Sequence, residues 1–222
     1  MPRSGVAGAR AVITLHGYWR STASYRVRIA LGMKGLDYGQ ATHDLRTGAQ
    51  RDADFVALSP QGLVPALESD GAVLTQSLAI IEWLDERWPT PPLLPDDPDE
   101  RAVVRAMAQI VACDIHPLNN LRVLTALRQD LGADEAAVSR WIARWITEGF
   151  AALETLVARH GGRFAYGDAP GLADCCLVPQ LYAAERFGVD VTGFPRLIGA
   201  AANARELTGF RQAAPALQPD AD

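Results

Sequence analysis

Residues 11–34, AVITLHGYWRSTASYRVRIALGMK, contain a strand signal followed by a helix signal. Residues 11–16 form a short apolar run with β-branched side chains, and Gly17 interrupts it. Over residues 23–34 apolar side chains recur at helical spacing, with Val27, Ala30 and Leu31 on one face. This stretch therefore predicts a strand, a loop and a helix in succession.

The same alternation continues to residue 88. The predicted elements are a strand at 38–43, a helix at 51–58, a hairpin of 64–68 with 72–75, and a helix at 77–88. The order βαβ followed by ββα is typical of a thioredoxin-like arrangement. We therefore predict a mixed four-stranded sheet with three helices in a domain over residues 12–88, preceded by a flexible N-terminal tail at 1–11.

A proline-rich segment, residues 89–98, divides the chain. Its five prolines cannot continue a helix or join a sheet ladder, so an extended linker is predicted. Beyond it the patterns predict helices at 99–131 (kinked at Pro117), 135–160, 172–187 and 195–205, and no strand. The fold class is thus α/β plus all-α, with an all-helical domain at 99–213 and a loose C-terminal tail at 214–222.

Composition narrows the classes of function. The 222 residues are 49% hydrophobic and 21% charged, which is ordinary for a globular protein. The net charge of −5 argues against nucleic-acid binding, which needs a basic face. No apolar stretch reaches the length of a membrane span and no signal-peptide pattern is found, so no membrane association and a cytoplasmic location are expected. Three cysteines and four scattered histidines form no disulfide framework or zinc motif, so no metal is expected.

The loop between the first strand and helix carries hydroxyl groups. A thioredoxin-like redox enzyme would place two cysteines there, but this loop has none, which excludes dithiol exchange within the protein. Ser21, Thr22 and Ser24 instead cluster at the start of the helix. They are either simple N-caps or a cradle for an anion or thiolate.

Two further turn features favour a ligand site at the same sheet edge. Pro65 interrupts an apolar strand, so an edge strand, a bulge or a cis bond to Val64 is predicted; a cis bond would let Val64 pair with a bound peptide main chain. Gln76 and Ser77 begin a helix, where they act either as a cap or as a carboxylate-binding site. The three features together favour a binding site over three unrelated caps.

These residues resemble a known family, the zeta class of glutathione transferases, which includes maleylacetoacetate and maleylpyruvate isomerases. The family's first-loop motif is Ser-Ser-Cys-x-Trp-Arg-Val-Arg-Ile-Ala-Leu, and residues 21–31 read Ser-Thr-Ala-Ser-Tyr-Arg-Val-Arg-Ile-Ala-Leu. The resemblance extends over roughly residues 12–213, through segments 63–67, 76–77, 80–84, 93–95, 113–120 and 172–174. Ala23 replaces the family cysteine, so a mechanism that needs a protein thiol in this loop cannot operate. Gly171 replaces the usual Ser or Thr cap and leaves Asp174 in a structural capping role.

The resemblance implies glutathione as the cofactor and assigns residues to it. The implied glutathione-binding residues are Ser21, Thr22, Val64, Pro65, Gln76, Ser77, His116 and Asn120. The implied catalytic residues are Ser21 as the first choice for the activating hydroxyl, Thr22 as the second, and Arg20. His116 precedes Pro117 and has an alternative role as a helix-kink histidine bonded to backbone.

A substrate with two carboxylates is favoured by the arginines. Arg20, Arg122 and Arg186, together with Asn119, are the predicted substrate-binding residues, because guanidinium binds carboxylate in a bidentate fork. For any one arginine a solvated surface position is an alternative. The implied function is a glutathione-dependent isomerase that converts a maleyl keto-diacid to its fumaryl isomer by addition, bond rotation and elimination, in aromatic amino-acid or aromatic-compound breakdown. The resemblance also implies a homodimer.

Two other functions are compatible with the same residues. One is a general glutathione transferase or dehalogenase acting on small α-halo acids, since the same thiolate site serves both. The other is a non-catalytic module of this fold that binds partners. The sequence does not decide between maleylacetoacetate and maleylpyruvate, which differ by one methylene-carbonyl unit.

Overall fold

The computed structural model describes residues 12–222, so the tail predicted at residues 1–11 lies outside the described part. The first half contains β1 (Ile13–Gly17), α1 (Thr22–Met33), β2 (Gly39–Thr42), α2 (Ala53–Leu58), β3 (Ala66–Ser69), β4 (Ala72–Thr75) and α3 (Ser77–Arg87). The strand order is β2-β1-β3-β4; β1 and β2 are parallel, and β3 is antiparallel to both of its neighbours. The predicted mixed four-stranded sheet is thereby confirmed.

The start of β3 shows how proline sets a strand boundary. The hairpin was predicted to begin at residue 64, but β3 begins at Ala66. Pro65 has no backbone N–H to donate to the sheet ladder, so pairing begins one residue later, where Ala66 lies opposite His16 and Thr75. The Val64–Pro65 peptide bond is cis.

The second half is helical. It consists of α4 (Pro98–Gln109), α5 (Leu121–Gln129), α6 (Glu135–His160), α7 (Leu172–Arg186), α8 (Pro195–Arg205) and α9 (Thr208–Gln212). Asp97 and Asp134 cap α4 and α6 by accepting backbone N–H groups. In α7, Asp174 is fully buried and accepts bonds from the backbone of Ala165 (2.9 Å) and Gly171 (3.0 Å), which is the structural role expected for it.

The predicted single helix at 99–131 is wrong, because the chain changes helix type in its middle. After α4 comes a π-helical turn, Ile110–Ile115, and then a 3-10 turn, His116–Asn119. Pro117 cannot donate into an α-helical ladder, and Asn120 opens α5 by accepting the backbone N–H of Arg122 at 3.1 Å. The wide turn packs where α6 carries Gly149, since a Cβ at that position would lie 2.3 Å from Ile115.

The two halves share one hydrophobic core, with α1 at its centre. Most of α1 is buried, including Arg26 and Arg28, each only 2% exposed. The helix crosses α9 at close range, because a Cβ on Gly32 would lie 2.9 Å from the backbone of Gly209. No helix in residues 12–222 is both long and apolar enough to cross a membrane.

The C-terminal segment 214–222 was predicted to be loose, but the structure packs it against the first half. Gln218 is buried; its amide donates to the carbonyls of Gln212 (3.0 Å) and Ala214 (2.8 Å) and accepts from Gln40 (3.1 Å). The Gln218 side chain thus joins this segment to strand β2 of the sheet domain. We call residues 213–222 the C-terminal strap.

Candidate functional site

A cavity of about 900 Å³ lies between the two halves of the chain. Its walls come from the loop after β1, the segment before α2, the loop before β3, the stretch 116–128 and the last turns of α7. Nine of the predicted site residues line it: Arg20, Ser21, Thr22, Val64, His116, Asn119, Asn120, Arg122 and Arg186. Residues separated by up to 166 positions in the sequence therefore meet in one cavity.

Ser21 is the N-cap of α1 and keeps its hydroxyl proton free. Its Oγ accepts the backbone N–H of Ser24 at 3.2 Å. Within the described part of the chain the Ser21 hydroxyl has no hydrogen-bond acceptor of its own. The O–H group is therefore available as a donor beside the positive end of the helix.

Thr22 differs from Ser21 because its hydroxyl is already engaged. Thr22 Oγ1 lies 2.7 Å from Nδ1 of His116, and Thr22 is buried. Burial above all, and then the guanidinium groups of Arg26 and Arg186, lower the pKa of His116 to about 3. The imidazole is thus neutral at ordinary pH and exchanges one hydrogen bond with Thr22, in a direction that its tautomer sets. The O–H of Ser21 is free to donate in either case, whereas the O–H of Thr22 is free only when Nδ1 of His116 carries the proton.

The predicted residues near β3 and α3 divide between the cavity and its edge. Val64 lines the cavity, whereas Pro65, Gln76 and Ser77 are not part of the lining. Gln76, with φ of 68°, donates its amide to Oε1 of the lining residue Gln61 at 2.6 Å. Ser77 is buried, and its hydroxyl accepts from Arg26 at 3.2 Å. In the described part of the chain no side chain caps the start of α3, so its first backbone N–H groups lack a side-chain acceptor.

The cavity wall is strongly cationic. Among residues 12–222, six arginines line it, and none of the lining residues is an aspartate or a glutamate. Two of the six are neutralised: Arg46 by Asp44 and Asp222, and Arg128 by Glu135. The other four, Arg20, Arg51, Arg122 and Arg186, have no carboxylate partner anywhere in residues 12–222. A guanidinium group without a carboxylate partner of its own has the geometry to bind the carboxylate of a ligand in a bidentate fork.

Aromatic rings support two of these unpaired guanidinium groups. Arg20 lies 5.0 Å from the ring centre of Trp19, and Arg186 lies 4.5 Å from that of Phe187. Stacking orients the flat guanidinium without neutralising its charge. Asn119 adds a neutral polar group, since its amide oxygen and nitrogen lack partners among the described residues.

Sequence reasoning missed several lining residues, notably Tyr18, Arg46, Gln50 and Arg51. Arg51 was assigned to the start of a predicted helix, but a short 3-10 turn, Ala49–Arg51, precedes α2 and brings it to the cavity. The signal that could have found it is its place in the connection after β2, at the same end of the sheet as the hydroxyl loop. Gln50 and Arg51 carry no motif.

The residues present fit a tripeptide thiol with two carboxylates. Ser21 offers an unused hydroxyl donor, and Arg51 offers an unpaired cation. Gln50 Oε1 is buried without a partner among the described residues, and it can accept an N–H. The uncapped start of α3 provides backbone donors for a carboxylate. Among residues 12–222 no group of three or more His, Cys, Asp or Glu side chains is placed to hold a metal ion.

Comparison with known proteins agrees with this description. The glutathione S-transferase N-terminal domain family matches residues 20–87, and the C-terminal domain family matches residues 135–218. The chain is 53% identical over 209 residues to a maleylpyruvate isomerase of a Ralstonia species, covering 93% of this chain and 98% of that protein. It is 54% identical over 209 residues to a maleylacetoacetate isomerase of Pseudomonas aeruginosa, with coverage of 93% and 97%.

A solved structure is also similar. The crystal structure of maleylacetoacetate isomerase from Methylobacterium extorquens, with bound malonate and glutathione, superposes with a TM-score of 0.90 at 40% identity. The match covers 94% of this chain and 99% of that one.

Proposed function

Because this chain belongs to the glutathione S-transferase family, and within it to the zeta class, we propose that it is a glutathione-dependent cis-trans isomerase. Its substrate is a maleyl keto-diacid, maleylacetoacetate or maleylpyruvate, and its product is the fumaryl isomer. The observation that carries this proposal is the set of unpaired arginines in a cavity wall without carboxylates, next to the free hydroxyl of Ser21. The reaction belongs to the breakdown of aromatic amino acids or other aromatic compounds.

Glutathione is held by residues from three segments of the sheet domain and from the 116–120 turn. The proposed contacts are the Gln76 and Ser77 backbone for the γ-glutamyl carboxylate, Val64 before Pro65 for the main chain, and Ser21 and Thr22 for the sulfur. His116 supports Thr22 from behind at 2.7 Å, and Asn120 borders the same wall. When bound, glutathione supplies the thiolate that adds to the cis double bond, permits rotation about the resulting single bond, and leaves.

Ser21 stabilises that anion by donating a hydrogen bond from its hydroxyl group to the sulfur. A thiol has a pKa near 8.5, and lowering it by about two units requires roughly 2.7 kcal/mol of preference for the anion. The N-terminus of α1 gives about 0.3–1 kcal/mol, which is too little alone. A hydrogen bond to a charged partner adds about 1.5–3 kcal/mol, and together the two are sufficient. Thr22 is the second choice, because its O–H is used by His116 whenever Nδ1 of that imidazole is unprotonated.

Three of the four unpaired arginines hold the substrate. Arg20, Arg122 and Arg186 bind the two carboxylates and stabilise negative charge that develops on the keto oxygen, and Asn119 donates or accepts a neutral hydrogen bond. Because Arg20 and Arg186 are already stacked on aromatic rings, little rotational freedom is lost when a diacid binds. Arg20 is the one of the three that is also next to Ser21.

The test is an absorbance assay of the maleyl chromophore with dialysed protein, with and without glutathione, for each of the two diacids. The proposal predicts turnover only when glutathione is present and no net consumption of it. Turnover that persists in thiol-free buffer contradicts it. The ratio of kcat/KM for the two diacids then identifies the preferred substrate.

Transfer of glutathione to small electrophiles such as α-halo acids is the second candidate activity. It is favoured by the Ser21 hydroxyl, which serves any reaction of the thiolate and does not depend on the arginines. Members of this family are typically dimers, and we propose a cytoplasmic homodimer. Light scattering that gives the mass of one 23.9 kDa chain would contradict the dimer.

A further inference from the structure

The Trp19 peptide is held from both sides by residues distant from the cavity. Its N–H donates to Oδ2 of Asp220 at 3.0 Å, and its carbonyl accepts from Nη2 of Arg28 at 3.0 Å. Trp19 is followed by Arg20, which binds substrate in the proposed function, and then by Ser21, which activates the thiol. The position of this one residue therefore affects both of them.

Arg28 links the loop to the C-terminal strap. While Nη2 binds the Trp19 carbonyl, Nε donates to the carbonyl of Ala213 at 3.0 Å. Burial lowers the pKa of Arg28 to about 10, with Tyr38, Tyr25 and Asp220 acting in the opposite direction. The guanidinium is thus a buried cation whose N–H groups donate to backbone carbonyls of the loop and the strap. Such bonds are strong because one partner is charged and water is largely excluded.

The strap contacts two more segments of the sheet domain. Gln218 is buried and accepts from Gln40 on β2. Asp222 pairs with Arg46, which lines the cavity. Asp220 is partly buried, and its Oδ1 has no hydrogen-bond partner in the described range. The carboxylate is therefore stabilised by the hydrogen bond from Trp19 to Oδ2 and by electrostatic attraction to Arg28.

We propose that the C-terminal strap is a positioning element of the active site, with Asp220 as its principal positioning residue. Asp220 and Arg28 together fix the Trp19 peptide. That fixes the aromatic ring on which Arg20 stacks at 5.0 Å and the backbone that leads to the Ser21 cap. This inference rests on the proposed function for the roles of Arg20 and Ser21, but not for the placement of the loop.

The first experiment measures the loop itself in glutathione-free protein. Amide hydrogen exchange of peptides covering residues 17–22 is compared among the wild type, Asp220→Ala, Asp220→Asn and Asp168→Ala. Asp168 is a matched control, because this exposed aspartate also accepts a backbone N–H (Arg163, 2.9 Å) but does not line the cavity. Asp220→Ala should exchange faster at Trp19 and Arg20, whereas Asp220→Asn keeps an acceptor oxygen and should restore most of the protection.

The second experiment measures diacid turnover and the pH dependence of kcat/KM. A displacement of about 1 Å in an active site can lower the reaction rate by up to about 100-fold. Asp220→Ala should therefore raise KM for the diacid about tenfold. It should also move the acidic limb of the kcat/KM profile to higher pH. A purely structural role would lower the melting temperature without moving the pH limb. Equal loss in the Ala and Asn variants, or an unchanged KM and pH limb in Asp220→Ala, would overturn the proposal.

The two proposals fail separately. If wild-type protein has no glutathione-dependent isomerase activity, the proposed function is wrong, and the exchange data still decide the placement of the loop by the strap. If the wild type is active and the exchange of residues 17–22 is the same in all four proteins, the strap does not position the loop.

Discussion

Replacing Arg186 tests whether the substrate is a diacid, and the surroundings of Arg186 in the structure set the expected loss of kcat/KM. Arg186 is exposed at the cavity wall, 4.5 Å from the Phe187 ring centre, and has no carboxylate partner in the described chain. A hydrogen bond between charged groups contributes about 1.5–3 kcal/mol, and solvent exposure favours the lower part of that range. Arg186→Met, which keeps an apolar side chain on Phe187, should therefore lower kcat/KM for the diacid about 10- to 30-fold.

Arg128→Met is the matched control in the same cavity. Arg128 lines the wall like Arg186, but its guanidinium already binds both oxygens of Glu135, at 2.6 Å and 2.9 Å. That carboxylate is largely exposed and is rehydrated when Arg128 is lost, so the free energy of unfolding should change little. Diacid turnover in Arg128→Met should stay within about twofold of wild type, since the neutralised arginine has little charge to offer.

The assay pairs two substrates for each variant: the maleyl diacid, and an uncharged electrophile that accepts glutathione. Arg186→Met should lose diacid turnover and keep conjugation of the uncharged electrophile within about twofold, because the thiolate site at Ser21 is untouched. Equal losses in Arg186→Met and Arg128→Met would refute the reasoning from unpaired charge. Equal losses on both substrates would show that Arg186 serves the cofactor and not the diacid.

Two further predictions concern stability. Asp174→Ala removes the acceptor of the buried N–H group of Ala165 and of the part-buried N–H group of Gly171. A buried N–H group left unpaired costs about 1–3 kcal/mol, and removal of a buried charge offsets part of the loss, so urea denaturation at pH 7 should show a free energy of unfolding lower by about 2 kcal/mol or more. A change below about 0.5 kcal/mol refutes the capping role. The pKa of His116 is about 3 in the folded protein against 6.5 unfolded, so below pH 6.5 the unfolded chain takes up the extra proton and stability falls as pH falls toward 3. In glutathione-free protein, the free energy of unfolding should fall less steeply with decreasing pH in His116→Gln than in the wild type, and the two slopes should differ by up to about 1.4 kcal/mol per pH unit. Parallel curves of unfolding free energy against pH for the two proteins contradict a neutral buried His116.

Local patterns predicted the parts of the fold that local interactions determine. Glu135–His160 and Pro195–Arg205 have the predicted boundaries, since Asp134 caps the first helix and Pro195 begins the second. The break at residues 110–119 was missed, because Pro117 was expected only to bend a helix. In the structure Ile115 packs against Gly149 on another helix, and the spacing of residues 99–131 carries no sign of that contact.

The site was predictable to the extent that motifs mark it. The hydroxyl loop, the resemblance and the arginine positions pointed to Ser21 and to three of the four unpaired arginines that line the cavity, and they missed Arg51. Thr22 and His116, which share a hydrogen bond, are 94 positions apart in the sequence. Trp19 and Asp220, which share another, are 201 positions apart. Such pairings depend on how the two halves pack. A short tail rich in Ala, Pro and Asp, such as the strap, has no periodic pattern, so its sequence predicted a loose end.

The most direct test of the central claim is the pKa of glutathione bound to the protein, measured by ultraviolet titration of the thiolate in wild type, Ser21→Ala and Ser21→Thr. If the Ser21 hydroxyl stabilises the anion, Ser21→Ala should raise that pKa by about 1–2 units, which corresponds to the loss of a charged hydrogen bond, and Ser21→Thr should restore most of the shift. A bound thiol with the same pKa in wild type and Ser21→Ala, both saturated with glutathione, would contradict the assignment of Ser21 as the activating group.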